Sequence, residues 1–167
     1  MIRAREFLRA RRGSTTVEFA LVSLFFFGIM TVGLDFGLYV QQKLSLGNAV
    51  EQGAVLAFNM RDTIDPTQVG NLVAQSGGLA NAPSVTCNNG AQCLPSASRT
   101  SSDYRCVNQA TGGIDTASYT LGAACTGGGS AGYYLKIVAT RTYTSMIVPD
   151  RWLGGTTMTQ SAVVRLQ

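Results

Sequence analysis

The sequence predicts an α+β protein: a long N-terminal transmembrane and stalk helix carrying a small head of one short helix and about three antiparallel strands. Three observations lead there. Residues 17–40 form an apolar run broken only by Glu18 near its start and Asp35 near its end. A proline-led helix start, Asp65-Pro66-Thr67-Gln68, follows once that run and its continuation are over. Two later stretches, residues 133–143 and 156–166, alternate apolar and polar side chains at the period of a strand.

The first thirteen residues set the topology. Arg3, Arg5, Arg9, Arg11 and Arg12 against Glu6 give five positive charges less one negative, which equals the +4 of the whole chain. The remainder is neutral, so the basic character belongs to this flank alone. A basic balance often points to nucleic acid or to an anionic membrane. Here the cluster lies directly before an apolar helix, and topology accounts for it; nucleic acid is not expected as a partner. Twenty-four helical residues span roughly 36 Å, enough to cross a hydrocarbon core of about 30 Å with some tilt. Arginines on the N-terminal side place that end in the cytoplasm and the rest outside. The expected organisation is a basic cytoplasmic leader (1–13), a transmembrane and stalk helix (14–60) and an extracytoplasmic head (61–167). A removable secretory signal has an apolar core of about 7–15 residues and a small-x-small cut site. Residues 19–34 run uncharged beyond that length and no A-x-A follows, so the segment is expected to stay.

The helix continues past the membrane. Residues 41–60 contain no proline and carry Leu44, Leu46, Val50, Ala54, Ala57 and Phe58 at loosely helical intervals, predicting one helix over about 15–59 with its outer part half buried against the head. Pro66 disfavours helix at Asp65 and ends it. Asp65 as N-cap, Pro66 in the first position and Gln68 three residues after the cap then start a short helix. Val69, Leu72 and Val73 give it one apolar face, and Gly77-Gly78 stops it. A short strand is expected over 84–87. Residues 88–131 show no sustained periodicity, and Gly127-Gly128-Gly129-Ser130 reads as a linker. In the penultimate strand Leu135, Ile137 and Ala139 oppose Lys136, Val138 and Thr140; in the last, Met158, Ala162, Val164 and Leu166 share a face. Val148-Pro149-Asp150 and Gly154-Gly155 suit a long hairpin connection, and Trp152 within it reads as a core or interface anchor. The core is expected mainly from residues 50–75 and 133–167.

Cys87, Cys93, Cys106 and Cys125 all follow the apolar run. None forms a C-x-x-C pair and the chain has no histidine, so a zinc site is not expected. An even number in a loop-rich region beyond a membrane segment suggests disulfides in an oxidising compartment. Three pairings are open, with Cys87–Cys93 and Cys106–Cys125 the first expectation.

Glu18 is the misfit. A plain anchor has no use for a carboxylate at the mouth of its apolar run, where a charge costs up to roughly 2.5–3.5 kcal/mol on insertion scales. Snorkelling to the cytoplasmic interface is the bland account. The sharper one begins from a cut between Gly13 and Ser14, which would create an α-ammonium four residues before Glu18. The carboxylate of one subunit could then pair with the ammonium of its neighbour, setting register as well as lowering the desolvation cost. Asp35 is expected near the outer interface in a structural role. Gly33 and Gly37 form G-x-x-x-G, a close-packing face for helices in lipid. Without histidine a serine nucleophile would need Lys43 or Lys136, neither in a recognisable motif. Asp103, Asp115 and Asp150 have no metal-site spacing. Neither enzyme activity, a cofactor, a metal nor a small-molecule substrate is expected.

Basic leader, Gly13, four residues, Glu18 and an apolar helix resemble the class III signal of type IV pilins and pseudopilins, which an aspartic prepilin peptidase cuts. Arg12-Gly13, Val17-Glu18-Phe19-Ala20-Leu21, Asp35-Phe36-Gly37 with Tyr39-Val40, Asn48-Ala49 and Glu51-Gln52-Gly53-Ala54 resemble one branch more closely, the TadE-like minor pseudopilins of the tight-adherence (Tad/Flp) pilus machinery. Ser161-Ala162-Val163-Val164-Arg165 looks like the terminal strand of that family. The resemblance spans about residues 11–60 and 133–167 and is absent between. It implies Gly13/Ser14 as the cleavage junction, Glu18 as the assembly residue, and an inner-membrane protein with its head outside. The implied partners are the prepilin peptidase, other pilins or pseudopilins and the assembly platform, with a part in pilus initiation, priming or tip assembly and in attachment. Phe19 stands where the major Flp pilins carry tyrosine, which argues against a bulk-filament subunit, and the head is much larger than theirs. The alternative reading is an uncleaved single-pass protein presenting a disulfide-braced binding head.

Overall fold

A computed structural model of the chain describes residues 14–88, 90, 92–145 and 157–167. Helix α1, Ser14–Asn59, runs unbroken for 46 residues, a length of about 69 Å at 1.5 Å per residue. Its two halves have different surroundings. Up to Leu34 the large apolar side chains stand exposed around the helix, whereas from Asp35 onward one face is covered by the head.

The buried face of the outer half comprises Leu46, Ala49, Val50 and Ala57, with Gly53 between them. Spacings of three and four keep these positions on one side of the helix. Leu44 and Phe58, expected on that face, are instead 63% and 51% exposed. They are out of phase with the stripe that 46, 49, 50, 53 and 57 define, so the loose apolar spacing overstated the face.

Helix α2, Pro66–Gly77, forms where its start and stop signals lie. The Asp65 carboxylate accepts the Thr67 backbone N–H at 2.9 Å, and this bond holds the acid below its ordinary pKa. At the other end Gly78 takes a left-handed φ of 58°, and the Leu79 N–H closes on the Ala74 carbonyl at 2.9 Å. Val69 and Val73 bury completely. A Cβ on Gly53 would collide with Val73 Cγ2, so the helix pair approaches closely because that position is glycine.

Strand β1, Ser84–Cys87, follows as expected. The next two strands, β2 (Val107–Asn108) and β3 (Gly113–Ile114), are only two residues each and pair as a separate hairpin. Strands β4, Tyr134–Thr142, and β5, Thr157–Arg165, complete a three-stranded antiparallel sheet in the order β1-β4-β5. Leu135, Ile137 and Ala139 are fully buried and turn inward, with Met158 and Leu166 of the last segment beside them. The residues between β4 and β5 that suggested a long hairpin, Trp152 included, lie outside the described residues.

The core differs from expectation in two respects: it begins ahead of residue 50, with Leu46 and Ala49, and it draws on β1 and the loop. Cys87, Tyr104, Cys106 and Ile114 are buried. Asn88, at φ 43°, donates its amide N–H to the Asp103 carbonyl and accepts the Tyr134 N–H at 3.1 Å. Arg99 lies 4.2 Å over the Tyr133 ring and donates to the carbonyls of Leu94 at 3.1 Å and Arg61 at 2.6 Å. Burial pushes the Tyr133 phenol upward and the Arg99 guanidinium downward from their ordinary values. The glycines expected to form a linker make a tight turn instead. Gly128 and Gly129 have φ of 90° and 82°, and the Cys125 N–H bonds the Gly129 carbonyl at 3.1 Å. Both disulfides are present, Cys87–Cys93 with Cα atoms 5.1 Å apart and Cys106–Cys125 at 5.7 Å.

Candidate functional site

The segment that carries the unusual residues is the inner half of α1. Phe19, Leu24, Phe25, Ile29 and Leu34 are among side chains more than half exposed there, on all sides of the helix. In water that much bare apolar surface is unfavourable by roughly 25 cal/mol per Å²; in lipid it is the expected surface. The apolar stretch of α1 is long enough to cross a membrane, with none of its best window covered by the rest of the chain. One apolar N-terminal helix of this kind fits a single-pass membrane protein.

The head fixes where the lipid-facing portion ends. Asp35 is 2% exposed. The Tyr143 hydroxyl, just past the end of β4, lies 3.0 Å from both the Asp35 Oδ1 and the Asp35 carbonyl oxygen. The Tyr143 ring packs edge-on against Tyr39 with centroids 5.4 Å apart. A covered carboxylate satisfied by protein marks where the bare apolar part of α1 gives way to the head, and an uncovered one would be costly in lipid. From Ser14 to Leu34 the helix is 21 residues, about 31 Å, which matches a hydrocarbon core of about 30 Å. Sequence placed Asp35 near this boundary but gave no sign of Tyr143 as its partner, since 108 residues separate them.

Within that span the polar groups are few and local. Thr31 Oγ1 lies 3.0 Å from the Phe27 carbonyl and 2.9 Å from that of Gly28, so its hydroxyl is satisfied by the helix itself. Glu18 is exposed, a little over one turn from the start of α1. Four residues bring Ser14 and Glu18 to the same side of the helix, one turn apart. Gly33 and Gly37 also lie on one side, and a Cβ at either would meet open space. At 100° per residue Asp35 points roughly the opposite way. The glycine pair therefore lies away from the head.

Gly13 and the arginines at 3, 5, 9, 11 and 12 lie outside the described residues, as does any geometry for the Gly13/Ser14 junction. The four cysteines sit in the head, beyond the boundary that Asp35 marks. They brace the segment 87–131 rather than α1. Among the described residues, the solvent-open cavities of the head and outer helix include one of about 570 Å³ between residues 78–84 and the end of β4, one of about 380 Å³ beside the Cys106–Cys125 bridge, and one of about 370 Å³ where Ser76 meets α1. Asp115 in the second of these accepts the Tyr119 hydroxyl at 2.7 Å. That bond holds the acid below its ordinary pKa and raises the phenol.

The family model described as TadE-like protein matches residues 13–55. The match covers about a quarter of the chain: the lipid-facing half of α1 and most of the half that packs on the head. The C-terminal strand, read above as resembling the same family, lies outside it. No curated protein and no solved structure matched the chain.

Proposed function

We propose, with the TadE-like match over residues 13–55 as premise, that this chain is a minor pseudopilin of a tight-adherence pilus system. It inserts with its N-terminus in the cytoplasm, is cut between Gly13 and Ser14, and takes part in starting or tipping a surface fibre. It acts by assembly.

The single observation that carries this reading is the position of Glu18 on the half of α1 that the head leaves bare. A carboxylate so placed costs free energy in lipid. An α-ammonium on Ser14 of a neighbouring subunit offsets that cost and fixes the stagger between helices. The leader explains why assembly waits for the cut. Drawing five arginines through hydrocarbon at about 2.5–3.5 kcal/mol each raises a barrier on the order of 10 kcal/mol or more. Removing residues 1–13 removes it. Two disulfides beyond the membrane helix support an oxidising compartment for the head.

Mass spectrometry of the membrane-extracted protein tests processing. A mature N-terminus at Ser14 is expected, and an intact Met1 in cells that hold the peptidase would instead favour a permanently anchored binding head. Glu18→Ala tests assembly. It should insert and be cut normally yet disappear from sheared pilus fractions, and unchanged incorporation would remove the pairing role.

A further inference from the structure

β4 is covered unequally on its two sides. β5 pairs with all of Tyr134–Thr142 in an unbroken register, whereas β1 reaches only Leu135 to Val138. In an antiparallel ladder successive residues direct their N–H and C=O to opposite neighbours. Here the Asn88 N–H bonds the Tyr134 carbonyl at 2.9 Å on the β1 side, and the Leu166 N–H bonds the Tyr133 carbonyl at 2.7 Å on the β5 side. Even-numbered residues of β4 therefore face β1. Continuing the alternation, the backbone groups of Thr140 and Thr142 point past the start of β1, where no strand among the described residues pairs with them.

A gap lies at that place. The chain between Gly78 and Pro83 runs beside the end of β4 without joining it, and the two enclose the cavity of about 570 Å³. Open edges are usually guarded by a lysine, a proline, a bulge or extreme shortness. Thr140 to Thr142 hold no lysine, proline or bulge, and the one charge among them, Arg141, is tied back to the Gly77 carbonyl. Residues 78–84 wall the cavity across from this edge, so the edge lies in a slot rather than on a flat template.

Charge supplies the second half of the argument. None of the described residues lining the slot is acidic, and Arg141 is among them. Arg141 Nη1 donates to the Gly77 carbonyl at 2.9 Å, at the C-terminus of α2. That bond uses one of five guanidinium donors. As a helix cap alone the arginine would need no cavity beside it. Anchored by one nitrogen, it presents further donors in the fork geometry that suits a carboxylate.

We propose that the Thr140–Thr142 edge receives an extended peptide segment bearing a carboxylate, which adds to the sheet as a strand in line with β1 and sets its acid against Arg141. Backbone hydrogen bonds supply the binding and the arginine selects the charge, as in other strand-addition sites. The edge is about 10 Å long at 3.3 Å per residue, room for three or four residues of the partner. The site stands apart from the pilus reading, because neither Ser14 nor Glu18 enters it.

The test uses the full chain in detergent micelles and a blocked peptide of alternating valine and threonine ending in glutamate with a free carboxyl terminus. Residue-resolved amide hydrogen exchange should slow at Thr140 and Thr142 by about tenfold or more at saturating peptide, with α1 unchanged. The same peptide N-methylated at alternate positions should not protect them. Its C-terminal amide with glutamine for glutamate should bind about tenfold more weakly, and Arg141→Gln should erase that difference while exchange at α2 reports that the fold is kept. Equal protection by the N-methylated peptide, or none at millimolar peptide, overturns strand addition. Equal affinity of the charged and neutral peptides overturns the role of Arg141. Protection that appears without peptide as protein concentration rises would assign the slot to a second copy and overturn the proposal as stated.

Discussion

The two halves of α1 belong to one uninterrupted helix and solve opposite problems. Between Ser14 and Leu34 it presents phenylalanine, leucine, isoleucine and methionine in every direction, and none of its large apolar residues is buried by the chain. Between Asp35 and Asn59 it turns small or medium residues inward, with Leu46, Ala49, Val50, Gly53 and Ala57 beneath the sheet and α2. The first half is built for a solvent that touches all sides, the second for a protein surface that touches one. Secondary structure is identical across the boundary, so the difference lies wholly in what each side chain is asked to displace. The boundary itself is a buried carboxylate, Asp35, held by the hydroxyl of Tyr143.

That contrast can be broken most sharply two residues apart. Leu46→Ala removes a fully buried side chain and should destabilise the head by about 2–5 kcal/mol. Leu44→Ala, at a site 63% exposed, should stay within about 0.5 kcal/mol. Thermal unfolding of the head in detergent, followed by near-ultraviolet circular dichroism, reads both, and equal losses would mean the outer half is not one-faced.

A smaller effect is expected from glycine pairs on the same helix. Gly53→Ala forces a methyl against Val73 and Ile137 and should cost about 1–3 kcal/mol. Gly47→Ala meets open space and should be neutral or stabilising by up to about 1 kcal/mol through helix propensity. Tyr143→Phe tests the boundary. It should cost on the order of 1 kcal/mol and speed amide exchange at the end of β4 while leaving α2 protected.

The smallest effect is a pH dependence confined to the head. Asp65 and Asp115 both have folded pKa values below the ordinary 3.8, the first through the Thr67 N–H and the second through the Tyr119 hydroxyl. A lowered folded value means that their contribution is complete above 3.8 and is lost as pH falls through the folded values. Amide exchange at the start of α2 and around residues 117–119 should therefore quicken only in that acid range. Because both carboxylates are solvent-exposed, loss of head stability at higher pH would point to some other group.

Much of this was legible in the sequence where the signal is local. The cap and proline at Asp65-Pro66, the Gly77-Gly78 stop and the alternation through Leu135, Ile137 and Ala139 each depend on a few adjacent residues, and each produced the element expected. The loop was not legible in the same way. Tyr104 reaches the core, and Gly128-Gly129 turns back on Cys125, through bonds between residues whose neighbours show no pattern. The candidate site divides likewise. Glu18 is conspicuous from its setting alone, while the slot beside Thr140 and Thr142 exists because β1 is shorter than β4, which no local feature of β4 discloses.

The sequence by itself determined the long apolar helix, the order of the main helices and strands, and the placement of the cysteines in the head beyond that helix. Length, period and flanking charge are properties of neighbouring residues, and lipid and backbone respond to them directly. Tertiary structure alone decided the phase of the outer helix, the partner of Asp35 and the open stretch of β4. A helix shows which of its faces is apolar, but which residues are covered depends on the surface brought against it, and a bond across 108 residues exists only once that surface has arrived.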